Sequence, residues 1–228
     1  MGTHLTFNFD GKTGEGYLAL PESGSGPAVI VIQEWWGLVG HIMDVVDRFA
    51  SAGFVAFAPD LYHGQVTSEP DTAKKLVMEL QFDLAGKEIS NAADYLLSLP
   101  ETSTKHVGVV GFCMGGGLAI WSGTLSSKIL ATVGFYPGSS WERHAPVWAR
   151  YAGKSSIIHC SEGDGTSEAP GIQEALNKIN QSGGNAIAYD YPETKHAFFN
   201  NDRPEVFAPL AAALAWERTL DFFFTTLR

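Results

Sequence analysis

The stretch VGVVGFCMGGGLA, residues 107–119, decides how this chain is read. An apolar run enters Gly111. Cys113 follows two residues later, and then come Gly115, Gly116 and Gly117. GFCMG at 111–115 fits the G-x-nucleophile-x-G elbow, with cysteine where serine is more usual. In that elbow a strand turns so tightly into a helix that the central residue is strained. Side chains two positions either side would collide, so glycine is needed at both. The turn leaves the Cys113 thiol at a helix N-terminus, where the dipole favours thiolate over thiol. The backbone N–H of Met114 then points at an oxyanion forming on a substrate. Phosphate-binding glycine patterns are missing from the stretch. Its other reading is a structural cysteine beside packing glycines, and residues elsewhere in the chain must decide.

Working outward, AVIVIQEW (28–35) is a continuous apolar run behind SGSGP, as expected of a strand buried on both faces of a parallel sheet. Ile42, Val45, Val46 and Phe49 recur at helical spacing, and Gly53 stops that helix. GFVAFAPDLY (53–62), HVGVVGF (106–112), TVGFYP (132–137), SSIIHC (155–160) and AIAYDYP (186–192) are further strands. Helices are expected from Lys87 through Ile89, Ala93, Leu96 and Leu97, and through Ile172, Leu176 and Ile179. A long final helix is expected after Pro204, with Val206, Leu210, Leu214 and Phe224 among its apolar positions. LTFNF and GYLAL around DGKTGE form an N-terminal hairpin. Residues 64–86 are polar at first and then hold helical pieces without a clear pattern. Strands alternating with helices predict an α/β fold: one domain over 1–228, a mostly parallel twisted sheet and helices on both faces. Ligand sites in such sheets lie beyond the carboxyl ends of the strands.

Those ends supply partners for Cys113. A triad on this architecture runs nucleophile, acid, base along the chain. Asp164 follows SSIIHC in a glycine-flanked loop, and His196 precedes the last helix in YDYPETKHAFFN. Order and loop context both fit a Cys113–Asp164–His196 triad, with Glu162 as a weaker rival for the acid. QEWWG (33–37) puts Glu34 at the end of an apolar strand. The loop after this strand supplies the second oxyanion N–H, assigned to Trp35 beside that of Met114. A carboxylate pointing into the site can share a proton with the thiol. Trp36, Tyr62, Phe82, Tyr136 and Phe198 are candidate apolar walls, each with core packing as the alternative. His4, His106, His144 and His159 are read as surface or strand-edge residues, His41 and His63 as pocket-rim residues, and Cys160 as packing.

These residues together resemble the dienelactone hydrolase (carboxymethylenebutenolidase) family. The resemblance runs from AVIVIQEWWGLVGHI through FVAFAPDLY and VGVVGFCMGG to KHAFFNNDRPEV. It implies an α/β-hydrolase fold without a large cap domain, a Cys113–Asp164–His196 triad, and Glu34 as the glutamate that holds and helps activate the resting thiol. It implies lactone hydrolysis, of dienelactone to maleylacetate in the breakdown of chlorinated aromatics, with no metal or organic cofactor. The sequence also departs from the family pattern. Relatives hold a substrate carboxylate with arginines, but MELQFDLAGKE (78–88) has none, and Arg203 is the first arginine after His196. Lys87 or Arg203 is left as the substitute. Gly117 stands where many relatives carry a longer side chain, and is expected to reshape the site. The alternatives are a carboxylesterase or thioesterase on the same triad, and a spent hydrolase that only binds.

Composition narrows the partners. The 228 residues are 45% hydrophobic and carry a formal net charge of −10, from 25 acids against 15 bases. Such a surface repels phosphate backbones and anionic lipid, so neither nucleic acid nor membrane is expected as a partner. Two cysteines without zinc-ligand spacing make neither a disulfide framework nor a metal site. The N-terminal MGTHLTFNFDGKTGEG lacks the apolar core of a signal peptide, and no run reaches the ~18 apolar residues of a span. A cytoplasmic protein acting on a small-molecule lactone or ester is expected, as a monomer or weak homodimer.

Overall fold

The computed structural model describes residues 1–9, 11–138 and 141–228. Eight strands form one sheet: β1 (Thr3–Phe9), β2 (Lys12–Ala19), β3 (Gly26–Ile32), β4 (Val55–Pro59), β5 (Thr102–Phe112), β6 (Ile129–Phe135), β7 (Ser155–Ser161) and β8 (Asn185–Tyr191). Their order is β1-β2-β4-β3-β5-β6-β7-β8. β1 and β2 are the predicted hairpin, with Asp10 of its turn outside the described residues. β2 joins β4 antiparallel, and every later pairing is parallel. The helices are α1 (Gly40–Ser51), α2 (Pro70–Glu79), α3 (Phe82–Ser98), α4 (Met114–Ser122), α5 (Pro170–Gln181) and α6 (Pro209–Thr226).

The apolar run of β3 is divided between two cores, because successive strand residues face opposite ways. Val29 and Val31 pack with α1 and α6, among Val45, Phe49 and Phe223. Ala28, Ile30 and Ile32 pack with α3 and α4, among Ile89, Leu96 and Leu118. Burial on both faces is why the run is apolar throughout. Gly53 ends the α1 turn with φ +101, a left-handed conformation that glycine adopts without strain.

The chain leaves β3 for β4 on one side, then crosses back to β5 on the other. That reversal opens a crevice beyond the carboxyl ends of β3 and β5. Glu34 follows β3 and Cys113 follows β5, so both line the switch point.

Two expectations are corrected. β3 ends at Ile32, so Gln33 to Trp35 belong to the loop. The final helix begins at Pro209 rather than just after Pro204, and leaves Val206 outside it. Its buried positions are Ala212, Ala215, Thr219 and Phe223, whereas Leu210 is 87% exposed and Leu214 and Phe224 also face outward. Close packing on the sheet selects small residues along the inner face, so the large apolar residues misled the reading.

Candidate active site

Cys113 sits between β5 and α4 with φ 56° and ψ −118°, a backbone conformation costly for a side chain with a Cβ. Three contacts hold it there. Its N–H donates to Phe135 O at 3.0 Å, and its carbonyl accepts from the Gly116 and Gly117 N–H groups at 3.0 and 3.4 Å. A Cβ on Gly111 would lie 1.9 Å from Gly115 O, and one on Gly115 would lie 2.3 Å from Gln33 O. Both glycines therefore meet backbone that cannot give way. The thiol is half-buried at the helix N-terminus.

Asp164 lies in a short 3₁₀ turn (Glu162–Asp164) directly after β7, closed by Gly165 at φ 89°. Its Oδ2 is 2.7 Å from His196 Nδ1 and accepts from Ser161 Oγ at 2.5 Å. Burial pushes the Asp164 pKa up, but the bonds from His196 and Ser161 outweigh it, and the carboxyl stays below its usual range. Burial pulls the His196 pKa down. Hydrogen bonds to Asp164 and to the Cys113 side chain overcome this and raise it to about 10. Both neighbours thus favour the protonated imidazole. Glu162 is engaged elsewhere: its Oε2 accepts the Glu193 N–H at 2.5 Å.

Glu34 is 1% exposed. Asn200 Nδ2 donates to its Oε2 at 2.8 Å, and the Tyr136 hydroxyl lies 3.5 Å from its Oε1. Burial raises the Glu34 pKa. His41, the Asn200 hydrogen bond, His196 and Arg203 act against that rise, in falling order. Tyr136 carries φ 36° and stacks edge-on against His196, with centroids 5.0 Å apart. Its phenol is held well above its ordinary pKa by burial, and then by Glu34 and Cys113. Tyr62 donates its O–H to Met114 Sδ at 3.3 Å, and its pKa is raised by burial and by Cys113. Two phenols that stay protonated therefore flank the thiol. The N–H groups of Trp35 and Met114 have no hydrogen-bond acceptor among the described residues. Gly37, at φ 94°, turns the Trp35–Trp36 loop, which is tied down by Thr67 N–H to Trp36 O at 3.0 Å.

The remaining sequence candidates separate. Trp36 and Arg203 line a cavity of about 420 Å³ with Val39, His41, Thr67 and Asn200. The Arg203 guanidinium is paired with Glu205 Oε1 at 2.9 Å, so it is already engaged by a carboxylate. Lys87 is exposed on α3. Phe198 is fully buried, packed on Tyr136 and Tyr191, and supports the site from the core rather than forming its wall. Phe82 packs on Trp121 and His144 and carries Arg143 over its ring. A side chain at Gly117 would meet the His144 ring at 3.7 Å, so growth there is directed at this aromatic cluster. His159 is not a surface or strand-edge residue. It is fully buried between Tyr191 Oη and Thr219 Oγ1, and burial, then Arg218, lowers its pKa to about 3. Cys160 is buried, and its thiol is pushed up to about 12, first by burial and then by Asp190 and Asp164. His63 lies on the rim of a small cavity of about 130 Å³.

Sequence reasoning missed Asn200, Ser161 and the burial of His41. Asn200 and Ser161 sit in segments already singled out, four residues after His196 and three before Asp164. Neither position shows in one dimension which carboxylate it will meet. Among the described residues no group of three or more His, Cys, Asp or Glu side chains is gathered for a metal ion, and no helix is long and apolar enough to cross a membrane.

Comparison with known proteins agrees with this architecture. The sequence matches the dienelactone hydrolase family over residues 15–227. It is 34% identical to protein usf of Aquifex pyrophilus, covering 98% of each chain. It is 30% identical to carboxymethylenebutenolidase 1 of Cupriavidus pinatubonensis, covering 96% of this chain and 94% of that one. A solved dienelactone hydrolase-like promiscuous phosphotriesterase from metagenomic libraries superposes with a TM-score of 0.79 at 20% identity, covering 100% and 99% of the two chains. With β3 and β5 forming the switch point and the match spanning nearly the whole length, the chain belongs to the dienelactone hydrolase family, has an α/β-hydrolase fold and is a hydrolase of ester or lactone bonds.

Proposed function

We propose that this hydrolase works through a Cys113–His196–Asp164 triad and an acyl-thioester, with Glu34 as the group that takes the proton of the thiol. The dienelactone ring opened to maleylacetate is the substrate the family membership favours. The observation that carries the reading is the His196 imidazole, whose Nδ1 is 2.7 Å from Asp164 Oδ2 and whose protonated form the Cys113 side chain also favours. Asp164 and Cys113 both favour the protonated imidazole, so the thiol proton calls for a second acceptor. The buried carboxylate of Glu34 fills that role.

The steps then balance. The proton of Cys113 Sγ–H passes to the Glu34 carboxylate, and the thiolate attacks the carbonyl carbon. The Trp35 and Met114 N–H groups receive the developing oxyanion, a contribution of about 3 kcal/mol per donor. The leaving alkoxide takes the proton of the His196 imidazolium. His196, having given up that proton, is free to act as base on the thioester. Water gives His196 a proton and attacks the thioester. The released thiolate recovers its proton from Glu34, which restores the resting site. Asp164 holds Nδ1 throughout.

Glu34→Gln removes the proton acceptor while keeping shape and the Asn200 side. Acylation of a p-nitrophenyl ester, read as the single-turnover burst, is expected to slow about 100-fold, with little change in melting temperature. A variant that acylates normally and only melts earlier gives Glu34 a structural role. A panel of p-nitrophenyl esters set against a dienelactone distinguishes the lactonase from the second reading, a general carboxylesterase. That second reading draws support from Arg203, whose pairing with Glu205 competes with a substrate carboxylate.

A further inference from the structure

Asp164 stands on a three-residue 3₁₀ turn in which no residue is buried, and its side chain is 34% exposed. A carboxylate so placed is open to water and can change rotamer. Among the described residues two side chains bond it, the Ser161 hydroxyl at 2.5 Å and His196 Nδ1 at 2.7 Å, and both meet the same oxygen, Oδ2. The His196 side chain is itself 41% exposed and follows β8 in a turn, so it is the less fixed of the two. Ser161 is the last residue of β7, fully buried and in register with Tyr191 of β8. Its carbonyl accepts the Thr166 N–H at 3.3 Å, which closes the segment carrying Asp164 back onto the strand. A hydroxyl that donates to a carboxylate makes a charge-assisted bond, stronger than one between neutral groups.

We propose that Ser161 is a positioning residue for the hydrolysis: it anchors the Asp164 carboxylate to the sheet, so that Oδ2 is presented to His196 Nδ1. This rests on the reading that Asp164 and His196 belong to the triad. The turn around Asp164 is tied down through its backbone, by Gly163 N–H to Thr194 O at 2.9 Å and Gly165 N–H to Glu162 O at 3.0 Å. Those bonds fix where the Asp164 backbone lies and leave its side-chain torsions open. The Ser161 hydroxyl supplies the missing constraint, from a strand rather than from a loop. Its chemistry suits the task. It has one proton to donate and no charge, so Asp164 keeps its own charge for the imidazole. A cation in its place would compete with His196 for the same oxygen.

Ser161→Ala removes the hydroxyl and adds no volume to a buried position. Its kcat on a p-nitrophenyl ester is expected to fall about 10-fold with KM unchanged, since a misplaced imidazole slows proton transfer and leaves the contacts to the ester alone. A second readout needs no turnover. The low-field proton resonance of His196 Nδ1–H, assigned by its loss in His196→Gln, should broaden and move upfield in Ser161→Ala as the bond to Asp164 loosens. Ser161→Thr keeps the hydroxyl and should restore both rate and resonance. A wild-type kcat in Ser161→Ala, or a resonance that does not move, overturns the proposal. So does a Ser161→Thr variant that folds as the wild type does and stays as slow as Ser161→Ala. If Asp164→Asn turns over at the normal rate, the triad reading falls, while the His196 resonance in Ser161→Ala still decides whether Ser161 sets the bond between His196 and Asp164.

Discussion

Cys113→Ala is expected to lose at least about 10⁴-fold in kcat/KM on a p-nitrophenyl ester while folding as the wild type does. The size follows from what is removed. On the proposed mechanism the Trp35 and Met114 N–H groups survive, but the acyl acceptor is gone. The fold should tolerate the change because the thiol is half-buried and alanine keeps the Cβ that the elbow already accommodates at φ 56°. The variant also has a spectroscopic consequence. Cys113 is one of the groups that raise the His196 pKa, so His196 should titrate lower in the variant than in the wild type. Undiminished ester turnover in Cys113→Ala, with a normal melt, sinks the assignment.

The second large effect concerns stability, and it contrasts two neighbouring glycines. Gly115→Ala puts a Cβ 2.3 Å from Gln33 O and 2.7 Å from Ile32 O, both backbone atoms of the β3 end. Relief requires α4 to move away from β3, which pulls Met114 from Trp35 and breaks the elbow. A loss of about 4 kcal/mol or more is expected, in the range reserved for severe steric or core defects. Gly117→Ala points at the His144 ring from 3.7 Å, an ordinary contact, and exchanges a poor helix former for the best one. It should gain up to about 1 kcal/mol, or roughly 2–4 °C in Tm for a chain of this size. Urea melts of the two variants give the comparison. Equal losses at both positions contradict the elbow geometry described for this glycine run.

Much of the architecture was legible in the sequence, for physical reasons that can be named. Strands buried on both faces have to be apolar throughout, and β3 and β5 are. The elbow was legible because backbone contacts at Gly111 and Gly115 leave no other residue possible. α2 was not legible, because it buries only Ala73 and Leu76 and so has almost no apolar stripe. The inner face of α6 was misread because alanines and Phe223 bury there while Leu210 and Leu214 face solvent. In the site, Asp164 and His196 could be placed from their positions after strands. The meeting of Glu34 with Asn200 could not, because it joins positions 166 apart in the chain. His41 shows the same limit: a single histidine near a helix start gives no sign that its imidazole will be buried against Phe112 and Phe199.

The acyl-enzyme tests the central claim most directly. The wild-type protein is mixed with a slowly released p-nitrophenyl ester, quenched in acid within the burst, and its intact mass and peptides are measured. The account predicts one acyl group per chain, located on Cys113, released by hydroxylamine, and absent from Cys113→Ala. Steady turnover with no adduct, or with the acyl group on another residue, contradicts it.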